Sequence, residues 1–380
     1  MNDELEQRYP LAPAAALRIH SHVARHFQPG AGASVAAVSP AVETIETLIN
    51  VAFWTSLRRE ESFTPRISLA IVGPDQVKGP MTFERPVVFA PGTLTRLAPA
   101  VERPGIHLCV TSDNGELTVW GATSDLPPHC LVFEIVAPGF LVIKESRGDN
   151  TGKFVNLAVL QGDELKVTDG TGLVGSDCPE LLTTLLGLES DRHDAPSLNV
   201  LIQLAVSMRA HGRGGSLLVV QPQTEDWNQS ILQPMNYAIS PAFGAIESLV
   251  KEDPAEKMRR RWLEALGRVV DAIAGLTAVD GATIINYNYE LLGFGAKIVR
   301  REGFERVNQV IVTEPIEGTQ AMITEPAQLG GTRHLSAAQF AHDQRDSIAL
   351  VASQDGRFTV FGWSPCEQMV HAHRLETLLL

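Results

Sequence analysis

The sequence predicts an α/β (α+β) protein in two parts: an N-terminal helix plus sheet-rich domain over 1–190, then a mixed-sheet domain with flanking helices over 197–365. Three observations carry this expectation. The chain has 380 residues, enough for two domains that each bury a core. One long helical period stands near its start. Short apolar runs punctuated by Gly, Pro, Asp and Asn follow, first on their own and later alternating with helical stretches.

The early helix is "SPAVETIETLINVAFWTSLRREES". Ser39 is its expected cap and Pro40 its first helical position, and Val42, Ile45, Leu48, Ile49, Ala52 and Phe53 recur at steps of three and four. From "RISLAIV" to "DELKVTD" the runs "RPVVFA", "GIHLCVT", "ELTVWGA", "CLVFEIV", "GFLVIKE" and "NLAVL" predict strands and hairpins. The polar "LESDRHDAPS" reads as a linker or loop. Beyond it, "NVLIQLAVSMRAHGRGG" predicts a helix ended by a glycine turn, and "SLLVVQP" a buried strand. "DPAEKMRRRWLEALGRVVDAIAGLT" predicts a helix capped by Asp253 with Pro254 in its first turn. "DGATIINYN", "LLGFGAKIV", "QVIVTEP", "SIALVAS" and "RFTVFGW" supply strands, "GGTRHLSAAQFAHDQ" a loop entering a helix, and 366–380 a tail helix. "IHLCVTSDNGELTVWG" and "IALVASQDGRFTVFG" resemble each other; they are read as two ordinary hairpins rather than a duplicated domain.

The formal charge is −13, which argues against a broad nucleic-acid surface, because duplex binding relies on Lys and Arg neutralising phosphates. No apolar run approaches the roughly 18 residues of a membrane span, and "MNDELEQRYP" lacks the basic and apolar parts of a secretory signal. A soluble, cytoplasmic protein is expected. Cys109, Cys130, Cys178 and Cys366 show no paired spacing and read as reduced structural cysteines.

Three turns beside strands carry the chemistry: "HGRGG" (211–215), "DGA" (280–282) and "GGTRH" (330–334). Gly281 and Gly331 let backbone NH groups approach a ligand, Thr332 offers a hydroxyl, and Arg333 forks onto phosphate oxygens, with His334 as a further donor. Asp280 is the carboxylate suited to a divalent cation. Singly, each is as common in ordinary turns. The cluster Lys257, Arg259, Arg260 and Arg261 reads as a solvated helix face, and Trp54, Trp120 and Trp363 as core. His342, Asp343, His371 and His373 lack a metal-ligand spacing and are placed on exposed helix surfaces.

In order and setting, "RAHGRGGSLLVV", "DGATII", "GGTRHLSAA" and "IALVASQDGRFTV" resemble the diadenylate cyclase (DAC) domain family over about residues 197–365. The whole chain, with an extra domain before the motifs, is most similar to the DAC-related proteins classed as nucleotide sensors. Members of the family join two ATP into cyclic di-AMP using Mg or Mn, with two domains face to face. The resemblance implies a homo-oligomer, with Asp280 as metal ligand and catalytic residue if the protein is active. It also implies a nucleotide lined by Gly281, Ala282, Gly331, Thr332, Arg333, His334 and Ser353. The chain departs from the family at Leu335, where a second Arg is expected, and at Ser353-Gln354-Asp355, where the family has Ser-Glu-Glu. The stretch 301–329 reads as an insertion near the pocket. The expected function is nucleotide sensing, of ATP or a related signal nucleotide; the alternatives are an active cyclase and a scaffold with a vestigial pocket.

Overall fold

The computed structural model describes residues 8–26, 40–103, 105–113, 115–146, 154–168, 200–253, 256 and 260–379. The Ser39 cap, the linker at 188–197, Cys178, Pro254, and Lys257 and Arg259 of the basic cluster lie outside these residues. The chain divides into two compact units, Met1–Thr168 and Asp169–Leu380.

The first unit contains α1 (Ala12–His26), α2 (Val42–Ser56), β1 (Ile67–Ile71), β2 (Met81–Val88), α3 (Pro91–Val101), β3 (His107–Asp113), β4 (Glu116–Thr123), β5 (Leu131–Ala137), β6 (Phe140–Ser146), β7 (Phe154–Gln161) and β8 (Glu164–Val167). The sheet order is β2-β4-β3-β1-β5-β6-β7-β8, with β1 parallel to β3 and antiparallel to β5. α2 buries Ile45, Leu48, Ile49 and Ala52, the face expected from their spacing, but it starts from Ala41, which supplies no side-chain cap. α3 is absent from the sequence expectation, since Pro91, Gly92 and Pro99 imitate a turn. Pro91 instead opens the helix, and Leu94, Ala98 and Val101 share its buried side.

The second unit contains α4 (Val200–Ala210), β9 (Gly215–Val220), β10 (Tyr237–Phe243), α5 (Ala245–Val250), α6 (Arg260–Leu276), β11 (Ala282–Asn286), β12 (Leu291–Ala296), β13 (Val310–Thr313), β14 (Met322–Thr324), α7 (Pro326–Leu329), α8 (Thr332–Asp343), β15 (Ile348–Ala352), β16 (Phe358–Ser364) and β17 (Met369–Arg374). The sheet order is β10-β12-β11-β9-β15-β16-β17-β13-β14. Both faces are covered, which is why its central strands read as unbroken apolar runs. Leu217 and Val219 of β9 join the core of α4 and α6, whereas Leu218 and Val220 join that of α8.

One expectation is corrected here. The closing segment is no tail helix: β17 pairs with β16, and Val370 and Ala372 alternate with His371 and His373 at the two-residue period of a strand. The stretch 301–329, expected to contain an insertion, supplies β13 and β14, which extend the sheet beyond β17.

The two units share a topology. Strands β1 to β7 correspond in order and direction to β9, β10, β11, β12, β15, β16 and β17. In both, three helices pack on one face: α1, α2 and α3 in the first unit, α4, α5 and α6 in the second. β4 and β12 each carry a glycine with no room for a side chain: a Cβ on Gly121 would stand 2.3 Å from Met81 O, and one on Gly293 2.9 Å from Tyr237 O. β2 and β10 are edge strands with a register shift that contains a proline, Pro86 and Pro241. The similar hairpins noted in the sequence are β3–β4 and β15–β16, which are not topological counterparts, so their likeness is that of hairpins.

Candidate functional site

Strand direction gathers the sequence motifs at one end of the second unit. β9 and β11 are parallel, so Gly214 and Asp280 precede neighbouring strand starts. β15 and β12 run the other way, with Ala352 opposite Gly215 and Ala296 opposite Ala282. Ser353 and Lys297, the next residues along, therefore reach the same end, where α8 also begins.

The turns there are tight. Gly214 has φ +71, and a Cβ on it would lie 3.1 Å from Arg333 Nη1 and 3.4 Å from Gln354 Cγ. Gln354 Nε2 donates to the Arg213 carbonyl at 3.3 Å. Gly281 has φ +109, and a Cβ there would stand 2.5 Å from the Gly295 carbonyl carbon, so the Asp-Gly turn admits only glycine. The Asp280 carboxylate is 88% exposed and accepts a hydrogen bond from Lys297 Nζ. That bond, the Lys297 charge and then the Arg333 charge hold its carboxyl below the usual carboxylate range.

Gly331 is the N-cap of α8 with open space around it, and Thr332 is exposed beside it. A helix N-terminus concentrates partial positive charge, which suits a phosphate. Ser353 Oγ donates to Asp355 Oδ1 at 2.8 Å, and Asp355 also meets Arg357 Nε at 3.3 Å, so this hydroxyl serves its own turn.

Other expected residues are buried. Ala282 is buried in the core beneath α8. His334 is 2% exposed, lies under Gly330 and sits edge-on to Phe361 at 6.1 Å. Burial lowers its pKa, and Nε2 has no hydrogen-bond partner. It anchors α8 to β16 instead of facing solvent as a phosphate donor. Asp343 is not on an exposed surface either: buried, it accepts from Arg301 N at 2.8 Å and from Gln339 Nε2 at 2.8 Å, tying the 301–307 segment to α8. His373 is buried in β17, and burial, then the neighbouring His371, pushes its pKa down to about 3. Trp363 is core, with the Arg345 guanidinium 4.1 Å from its ring centroid.

Sequence reasoning missed Lys297. Nothing in "GAKIV" marks it; only the β11–β12 pairing brings it to Asp280, seventeen positions away. It also missed a cavity of about 330 Å³ at the opposite end of α8, lined by Trp227, Arg301, Phe304, Arg345, Asp346 and Ser347.

The donor set does not fit a resident divalent cation. Among the described residues, no group of three His, Cys, Asp or Glu side chains comes together to hold a metal. A magnesium ion at a nucleotide site is commonly held by one or two carboxylates with the phosphates, but the Asp280 carboxylate is already engaged by an ammonium.

Residues 34–124 match a family described as "Probable sensor domain DACNV". The match runs through α2 to β4 of the first unit and agrees with the resemblance to the DAC-related sensor proteins. No curated protein matches the chain. Among the described residues, no helix is long and apolar enough to cross a membrane.

Proposed function

We propose that the protein is a cytoplasmic nucleotide sensor whose ligand site is the end of the second unit formed by Gly214, Asp280, Gly281, Thr332 and Arg333. The observation that supports this most directly is the Arg333 guanidinium lying over Gly214 next to the Asp-Gly turn, at the open start of α8. A guanidinium and free helix-start amides bind phosphate oxygens, and a glycine floor lets them approach. The ligand class is an adenine nucleotide such as ATP or a related signal nucleotide.

Catalysis is disfavoured relative to binding. Phosphoryl transfer depends on positioned charge; Leu335 supplies none, and Lys297 occupies Asp280. The active-cyclase reading rests on the exposure of Asp280 close enough to Arg333 to feel its charge. A thermal-shift panel of ATP, ADP, AMP and cyclic di-AMP tests the sensor reading: at least one raises the melting temperature in wild type and fails to do so in Arg333→Ala. If none does, the reading is wrong. Mass spectrometry after incubation with ATP and MnCl2 tests the cyclase; a cyclic dinucleotide absent from Asp280→Asn establishes it.

A further inference from the structure

We propose that Lys297 takes the place of a divalent cation at Asp280, so that this site binds its nucleotide without metal. The inference rests on the nucleotide-site reading and concerns how that site balances charge.

A nucleotide phosphate near a carboxylate needs an intervening positive charge, which a divalent cation supplies in many nucleotide sites. Here the β11–β12 hairpin supplies it covalently. Lys297 follows Ala296, the residue opposite Ala282, and its ammonium donates to the Asp280 carboxylate. Both side chains are half or more exposed, so the ammonium's remaining protons face the solvent in which a phosphate would arrive. Arg333 provides the second cation. A divalent ion that displaced Lys297 would leave the tethered ammonium beside it, two like charges in one turn. Gly281 packs closely on Gly295, where a Cβ would stand 2.5 Å from the carbonyl carbon, so the turn of Asp280 lies against the strand end that carries Lys297.

The test is titration calorimetry on the full chain with whichever of ATP and cyclic di-AMP gives the larger thermal shift, in EDTA and in excess MgCl2. The proposal expects wild-type affinities within about twofold in the two buffers. It expects binding in EDTA to weaken by about tenfold in Lys297→Met, which keeps the stem and removes the charge, and to survive in Lys297→Arg. Wild-type binding that is more than about tenfold weaker in EDTA, or unchanged binding in Lys297→Met, overturns it while leaving the nucleotide site standing. Absence of binding in both buffers refutes the nucleotide site itself. Should Lys297→Met not fold, the wild-type comparison and Lys297→Arg decide.

Discussion

The first and second units build the same seven-strand order from unrelated-looking sequence, and the second sets Asp280 and Arg333 at its turns. In the second unit the path from β12 to β15 runs through β13, β14, α7 and α8; in the first, β4 reaches β5 across residues 124–130. The segment that delivers Arg333 is thus an addition to a shared frame. Gly105, with φ +83, stands before β3 as Gly281 does before β11. Arg66 stands before β1 where Gly214 stands before β9, and the β5–β6 turn is Pro138-Gly139 where the β15–β16 turn is Ser353 to Arg357. A common sheet sets positions; the turn residues set what those positions do.

The comparison is most exposed at the paired glycines. Gly281→Ala should destabilise the second unit by about 3–5 kcal/mol, since it adds positive-φ strain to a backbone overlap. Gly105→Ala meets nothing within 4 Å and should cost only about 1 kcal/mol. Denaturant unfolding of both variants checks this; equal losses would remove the distinction between a packed and an open turn.

Acid should reveal where the units are alike. Burial, opposed by Glu134 and assisted by Lys144, lowers His107 from 6.5 to about 4, and His373 is lowered to about 3. Above pH 6.5 each imidazole is neutral, folded or unfolded. As pH falls below that, the unfolded chain takes up the proton first, so stability declines until the folded group also titrates. For His107 the loss between pH 6.5 and 4 is on the order of 3 kcal/mol. His107→Gln should flatten the part of the pH profile that belongs to the first unit, and an unchanged slope would contradict a neutral buried His107.

Arg333→Ala should weaken nucleotide binding by about 2 kcal/mol, read by calorimetry. The smallest expected effect is at its frame-mate: Arg66→Ala, an exposed change in the first unit, should alter affinity by less than about 0.3 kcal/mol. A comparable loss from both would mean that the first unit also takes part in holding the ligand.

The strands of both sheets were legible because central strands covered on both faces are continuous apolar runs, as in "SLLVV" and "IALVA". Two elements, β10 and β17, were not. β10 is mostly exposed and broken by Ser240-Pro241, so "YAISPAF" gives no periodic signal, and "MVHAHR" alternates over too few residues to outweigh the Leu-rich tail after it. The site was readable as far as its turns reach: Asp280, Gly281 and Arg333 stand out by residue type. Lys297 depends on pairing across a hairpin, and the burial of His334 depends on α8 lying flat on β16. No local pattern contains either fact.

The prolines in β2 and β10 have one more consequence. A sheet's outermost strand offers a row of unpaired amides that a neighbouring molecule can extend by adding a strand. In both units the outermost strand on this side breaks register around a proline, which has no amide hydrogen to give. Each frame therefore carries its own guard against edge-to-edge growth into fibrils, placed at the same position twice, on the side of the sheet away from β8 and β14.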